Sequence, residues 1–181
     1  THGRTDMGIE HPWFDFDNER YAEMAVDQLA KRGRTRLALL QPPAKLTYAR
    51  HTASGFRRAI ERHDLIDVPL RDLTTDDLHE DIRARVETLM RSRHRPDGFA
   101  CSSAASAIAV VAGAEDAGLA IGRDFDVAVK ESFDLMRKFR REILVVREDF
   151  RSAGAALARA VLGTIDGLPM RDLQRLQSPA E

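Results

Sequence analysis

The sequence predicts an α/β fold: a parallel sheet with helices on both faces. Three observations predict it. Short apolar runs alternate with longer segments whose apolar residues recur at helical spacing. The alternation is strict through the middle of the chain, the pattern of βαβ crossovers. The 181 residues are 43% hydrophobic and 31% charged, the balance of a soluble chain long enough to bury a core.

The elements follow in order. Trp13–Asp17 (WFDFD) alternates apolar and polar residues and reads as a short strand. Asn18 can cap the helix after it, whose stripe is Tyr21, Met24, Ala25 and Leu29, and Gly33 is its stop. Arg36–Leu40 (RLALL) is a strand broken by Pro42 and Pro43, and Thr47 to Arg62 is helical. Val68–Arg71 is a weak strand. Thr75 or Asp76 then caps a helix with Leu78, Ile82, Val86, Leu89 and Met90 on one face, ended by Pro96. Gly98–Cys101 is a strand, and Ala104–Ala117, nearly all small and apolar, is a helix packed closely on a sheet and closed by Gly118. Phe125–Val129 and Ile143–Val146 are further strands. Phe150, Ala153, Leu157, Val161 and Ile165 form the stripe of a last helix that Gly167 ends, and 167–181 is a polar tail that can cross back.

Ligands of open parallel sheets bind beyond the carboxyl ends of the strands. The rule singles out Asp17 and Asn18, Gln41 to Tyr48, Asp72 to Thr74, Ser102 and Ser103, and Lys130 to Ser132.

The chemistry-bearing motifs are mostly missing. The net charge of -1 gives no global field for a phosphate backbone. No phosphate-cradling loop, dinucleotide fingerprint or nucleophile elbow is present. The six histidines are scattered without metal spacing. Ser102-Ser103 reads as a helix cap facing a cleft before it reads as a nucleophile, since no base partner is implied. Asp15 and Asp17 share one side of a strand, which a solvated edge explains as well as a metal does. The lone Cys101 allows no intramolecular disulfide and reads as a small buried hydrophobe. Arg91, Arg93, His94 and Arg95 complement a helix C-terminus. No apolar run reaches membrane-spanning length, and THGRTDMGIE at the start carries no signal-peptide pattern, so a cytoplasmic location is expected. The expectation is a binding domain, not an enzyme, with no cofactor, no metal and no catalytic residue.

Six segments in order resemble the effector-binding domain of LacI-family transcriptional regulators, which has the periplasmic-binding-protein-like I fold. They are HGRT (2–5) with HPWFDFDN (11–18), QLAKRGRTRLALL (28–40), TASGFRRAI (52–60), PDGFACSSAASAIA (96–109), GLAIGRDFDVAVKES (118–132) and LVVREDFRSAGAALARAVLGTIDG (144–167). The resemblance implies one lobe nearly complete and the other partial. Residues 1–18 and 148–166 would belong to the N-terminal lobe, 19–147 would form the C-terminal lobe, and 167–181 the tail. It implies a fragment whose DNA-reading helix-turn-helix headpiece is absent from the chain. It further implies a small-molecule effector, sugar-like, held between the lobes, a homodimer acting on operator DNA, and no membrane partner. The alternative is a solute-binding protein of a sugar ABC transporter.

The family pattern implies a ligand site of Arg4, Tyr48, Thr52, Asp72, Ser102, Ser103, Glu131, Glu148 and Phe150. Two of these depart from the sugar-responsive form: Thr52 stands where an Arg grips sugar hydroxyls, and Ser103 stands for an Asp. The bidentate Arg grip is lost with Thr52.

Overall fold

The structure, a computed structural model, describes residues 1–5, 8 and 10–180. Its larger sheet has five parallel strands in the order β3-β2-β4-β5-β6. These are β2 (Arg36–Leu40), β3 (Ile66–Asp67), β4 (Gly98–Cys101), β5 (Asp126–Glu131) and β6 (Leu144–Arg147). The chain grows to one edge with β3, then crosses to the other side with β4. The β2/β4 seam is therefore the topological switch point, where sheets of this order leave a crevice.

Successive side chains on these strands face opposite ways. Phe99, Val127, Val129 and Val145 join one core with α3 (His79–Met90) and α4 (Ala104–Asp116). Ala100, Ala128 and Val146 join the other core, with α1 (Asn18–Lys31) and α2 (Thr47–Arg62). Small residues on that second face make room for Tyr21. Its ring is fully buried, and its hydroxyl donates to the Cys101 carbonyl at 2.5 Å. Under the sheet, Asp126 is fully buried and is held by Arg34 Nε at 2.7 Å.

A smaller sheet pairs β1 (Trp13–Phe16) with β7 (Gln174–Gln177), also in parallel. Thr1–Gly3 runs along the other side of β1: Gly3 N donates to the Phe14 carbonyl at 2.8 Å, and Phe14 N to that of Thr1 at 3.0 Å. Helix α6 (Phe150–Ile165) packs on it through Ala153 and Ala156 against Phe14 and Phe16. Three connections run between the two sheets: β1 into α1, β6 into α6, and the segment after β7. In the last, Arg147 and Ala180 exchange backbone hydrogen bonds of 2.7 and 3.0 Å.

Several expected details differ. Asp17, not Asn18, caps α1 by accepting from Arg20 N at 2.9 Å. Asn18 is engaged elsewhere, its amide donating to the Phe16 carbonyl. The weak strand lies at 66–67 rather than 68–71. Val68 N still donates to the Leu37 carbonyl, but Pro69 has no N–H and the ladder stops. Helix α3 starts at His79, because Thr74 and Asp77 close a turn of their own in which the carboxylate accepts from Thr74 N at 2.6 Å. Leu78 is left exposed before the helix.

The buried face of α6 is Ala153, Ala156, Ala160 and Gly163, while Val161 and Ile165 of the expected stripe are 62% and 76% exposed. Along that face Phe14 and Phe16 meet Ala153 and Ala156, with Leu157 at the margin. A Cβ on Gly163 would fall 2.6 Å from Leu173 Cδ2. The segment read as a polar tail carries a 3-10 turn (Met170–Leu173) and strand β7. A short helix, α5 (Met136–Phe139), between β5 and β6 was not anticipated.

Removing the Asp17 cap tests the start of α1. Asp17→Ala is expected to lower stability by about 1 kcal/mol, a melting-temperature drop of about 2–4 °C for a chain of this size. Thermal unfolding followed by circular dichroism checks it. An unchanged midpoint would mean that Arg20 N finds another acceptor.

Candidate ligand-binding site

The carboxyl ends of β2, β4, β5 and β6 open into a cleft of about 500 Å³. Pro42 and Tyr48 enter it after β2, Ser102 and Ser103 after β4, Lys130 to Phe133 around the end of β5, and Glu148 after β6. The opposite wall comes from the small sheet and its helix: His2, Gly3, Asp15, Phe16 and Phe150. Both sheets therefore contribute to one hollow at the switch point.

Lys130 stands at its centre. Its ammonium donates to Asn18 Oδ1 at 2.9 Å and lies 3.4 Å from Glu148 Oε1. The second contact is in ion-pair range but without hydrogen-bond alignment, so that oxygen keeps no hydrogen-bond partner. The same ammonium lies 5.5 Å from the Tyr21 ring centroid and 5.8 Å from that of Tyr48, in cation–π range. Burial pushes the Glu148 carboxyl above its ordinary value. Lys130 pulls it back and Asp15 adds to the rise.

Glu131, at the last position of β5, turns back onto the loop that follows. One carboxylate oxygen accepts from Leu135 N and from Met136 N, each at 2.7 Å, and fixes the 131–136 turn. The other oxygen is buried without a partner, as is Ser102 Oγ. Ser103 is the N-cap residue of α4 without a side-chain capping bond, which leaves its hydroxyl toward the cleft. On the far wall, His2, Phe14, Phe16 and Phe150 form an aromatic cluster with His2–Phe150 and Phe16–Phe150 centroids at 5.5 and 5.3 Å.

Six of the nine residues expected at the site line this cleft: Tyr48, Ser102, Ser103, Glu131, Glu148 and Phe150. Arg4 reaches it only through Asp15, which it holds at 3.1 Å, with its guanidinium 5.8 Å from the Trp13 ring centroid. Thr52 is fully buried. Its hydroxyl donates to the Tyr48 carbonyl one turn back, so it supports α2 rather than facing a ligand. Asp72, with φ of 53°, lines a separate cleft of about 360 Å³ beside Arg57 and Asp67. Lys130, Asn18, Asp15 and His2 were not among the residues expected at the site, although the strand-end rule reaches the first two. Neither Asp15 nor Asp17 is free for a metal: the first pairs with Arg4 and the second caps α1. Burial pushes the Cys101 thiol up, which keeps it protonated and inert.

Comparison with known proteins agrees with this architecture. The periplasmic binding protein-like domain profile matches residues 26–181. The HTH-type transcriptional regulator AglR of Rhizobium meliloti (strain 1021) is 28% identical over 170 residues, covering 91% of this chain and 47% of that protein. The chain thus spans about half the length of that curated relative. A regulatory protein of the LacI family from Chloroflexus aggregans superposes with a TM-score of 0.86 at 23% identity, over 99% of this chain and 64% of its own. A LacI family transcriptional regulator from Arthrobacter sp. FB24, solved in complex with lactose, gives 0.81 at 16% identity, over 98% and 66%. Among the described residues, no helix is long and apolar enough to cross a membrane. The match over most of its length, on a parallel sheet with its cleft at the switch point, places the chain in the periplasmic binding protein-like domain family.

Proposed function

We propose that the chain is the ligand-binding and dimerisation domain of a LacI-type, DNA-binding regulator of the cytoplasm. It senses a small sugar-like molecule in the cleft and performs no covalent chemistry on it. The observation that carries this reading is the shared wall: Tyr48, Ser103 and Lys130 come from the five-stranded sheet, and His2, Asp15 and Phe150 from the smaller sheet and its helix. The two sheets are the cores of two lobes, with 1–18 and 148–166 in one and 19–147 in the other. A ligand touching both lobes binds one lobe angle better than another, and only such differential affinity shifts an equilibrium. In the regulator that contains this chain, the lobe angle sets the spacing of two operator-reading headpieces across a homodimer. A coupling of about 1–3 kcal/mol between ligand and operator is expected.

Calorimetry on this chain with a panel of neutral mono- and disaccharides tests the cleft. Tyr48→Ala is expected to weaken the ligand that binds by about tenfold, in line with the loss of one contact of about 1.4 kcal/mol, with little change in melting temperature. A ligand bound equally well by Tyr48→Ala and by the unaltered chain sits elsewhere. Operator affinity of the regulator that is unchanged by every ligand that binds counts against the switch.

A further inference from the structure

Two bodies joined by short connections are free to rock, and contacts made elsewhere between them set the angle. One such contact lies at the rim of the cleft, outside the three connections, and it is built on Arg4. Asp15, only 5% exposed, accepts from Arg4 N at 3.4 Å and from Arg4 Nε at 3.1 Å. The Trp13 ring lies under the same guanidinium. Arg4 is therefore fixed to the smaller sheet. From there it reaches α2, which packs on the larger one. Its carbonyl accepts from Thr47 Oγ1 at 2.9 Å, and its Nη2 donates to His51 Nδ1 at 3.4 Å.

The spacing and the residue type suit a clasp. Thr47 and His51 are four residues apart on a helix, so they share one face and meet Arg4 together. A guanidinium spreads its donors over a planar fork, which lets Nε hold Asp15 while Nη2 holds His51. A lysine offers its donors at a single point and cannot span both. Gly3 and Tyr48, each next in sequence to a residue of the clasp, line opposite walls of the cleft. The contact thus joins the two walls at the place where they would part.

We infer that Arg4 is a latch and not a ligand contact: by holding Asp15 of the smaller sheet and Thr47 and His51 of α2 at once, it keeps the cleft closed on the Tyr48 side and sets the angle between the two lobes. Arg4 is in this sense a positioning residue. The inference rests on the two-lobe reading above and adds the residue that fixes the closed angle.

The test measures the distance between spin labels by double electron–electron resonance, with no ligand added. The labels go on Glu61→Cys in α2 and Ala158→Cys in α6, both exposed positions. Cys101 is fully buried and takes no label. With the latch intact, a single narrow separation is expected. Thr47→Val combined with His51→Ala leaves the Arg4–Asp15 pair untouched. This double variant is expected to move the ratio of closed to open molecules about tenfold toward a second separation, in line with the loss of two hydrogen bonds. Thr47→Ser alone keeps the hydroxyl and should keep the single separation. Arg4→Lys keeps a charge beside Asp15 but loses the fork, and should show the second separation too. Circular dichroism confirms that each variant is folded. A folded double variant with only the original separation overturns the latch. So does Arg4→Lys with only that separation, or Thr47→Ser opening as far as the double variant. A distribution in the unaltered chain as broad as that of the double variant overturns it as well. Each of these results leaves the ligand-binding reading standing, because saccharide calorimetry on the unaltered chain tests that reading separately.

Discussion

Gly55→Ala is expected to lower the stability of this protein by about 3 kcal/mol, at the upper end of what overpacking costs. Gly55 lies on α2 where that helix crosses the start of α1. A Cβ built there would stand 2.2 Å from the Glu19 carbonyl oxygen and 2.7 Å from the Glu19 carbonyl carbon and Cα. All three are backbone atoms, which cannot rotate aside as the end of a side chain can. The helices would have to separate. The separation would unpack Tyr21, Ala25 and Leu29 of α1 from Phe56, Ala59 and Ile60 of α2, one continuous core. For a chain of this size, about 3 kcal/mol corresponds to a melting-temperature drop of about 6–12 °C.

Gly154→Ala is the internal control. Gly154 lies in α6 with nothing within 4 Å of an added Cβ, so the substitution should stabilise by about 0.5–1 kcal/mol through backbone entropy and helix propensity. Urea unfolding of the two variants should therefore move in opposite directions. Equal midpoints for Gly55→Ala and the unaltered chain would mean that α1 and α2 do not approach as closely as described. The close approach also matters at the cleft. Asn18 begins α1, Tyr48 lies in the first turn of α2, and Lys130 bridges the two by its bond to Asn18 and its place over the Tyr48 ring. Forcing the helices apart should loosen that arrangement before the sheet itself is disturbed.

Most of the larger sheet was legible in the sequence because its signals are local. Short apolar runs bounded by Gly, Pro and polar turns gave β2, β4, β5 and β6 to within a residue or two, and α2 with both ends. The cap of α1, the end of β3 and the start of α3 were shifted by local contacts, whereas the larger errors depend on a partner distant in sequence. The buried face of α6 is set by the rings of Phe14 and Phe16, more than a hundred residues earlier, which cover Ala153 and Ala156 and leave Val161 and Ile165 exposed. Strand β7 (QRLQ) has no apolar pattern, because its identity as a strand comes from pairing with β1. At the cleft, residues directly after strands were found by the carboxyl-end rule. Thr52 and Asp72 were carried over from a family pattern, and here the first turns inward and the second lines another hollow. Lys130 was the largest omission. A lysine after an apolar strand reads as solvated, and only its neighbours Asn18 and Glu148, far away in the chain, reveal a buried ion pair.

Lys130→Met should carry the largest effect among single substitutions at the cleft. Methionine keeps most of the length of the lysine stem while removing the ammonium that lies over the Tyr21 and Tyr48 rings. Glu148 is then left as a buried carboxylate without its cation, and breaking a buried pair from one side costs about 3–5 kcal/mol. The loss should depend on pH, with a sign that follows from Glu148. Burial already holds its folded pKa above the unfolded value, and Lys130 is what limits the rise. Without Lys130 the folded value rises further. The folded state then binds the proton more tightly than the unfolded chain, so stability falls as pH climbs from the unfolded value, about 4.3, through the folded one. The deficit of Lys130→Met should be greatest at neutral pH and shrink as the pH falls below about 4, where Glu148 becomes protonated in both states. Adding Glu148→Gln should restore much of the loss at neutral pH, since a neutral amide needs no counter-charge. Urea unfolding of the unaltered chain, both single variants and the double variant at acidic and neutral pH gives the coupling energy directly. A deficit that is the same at both pH values, with no recovery in the double variant, would make Lys130 a packing residue.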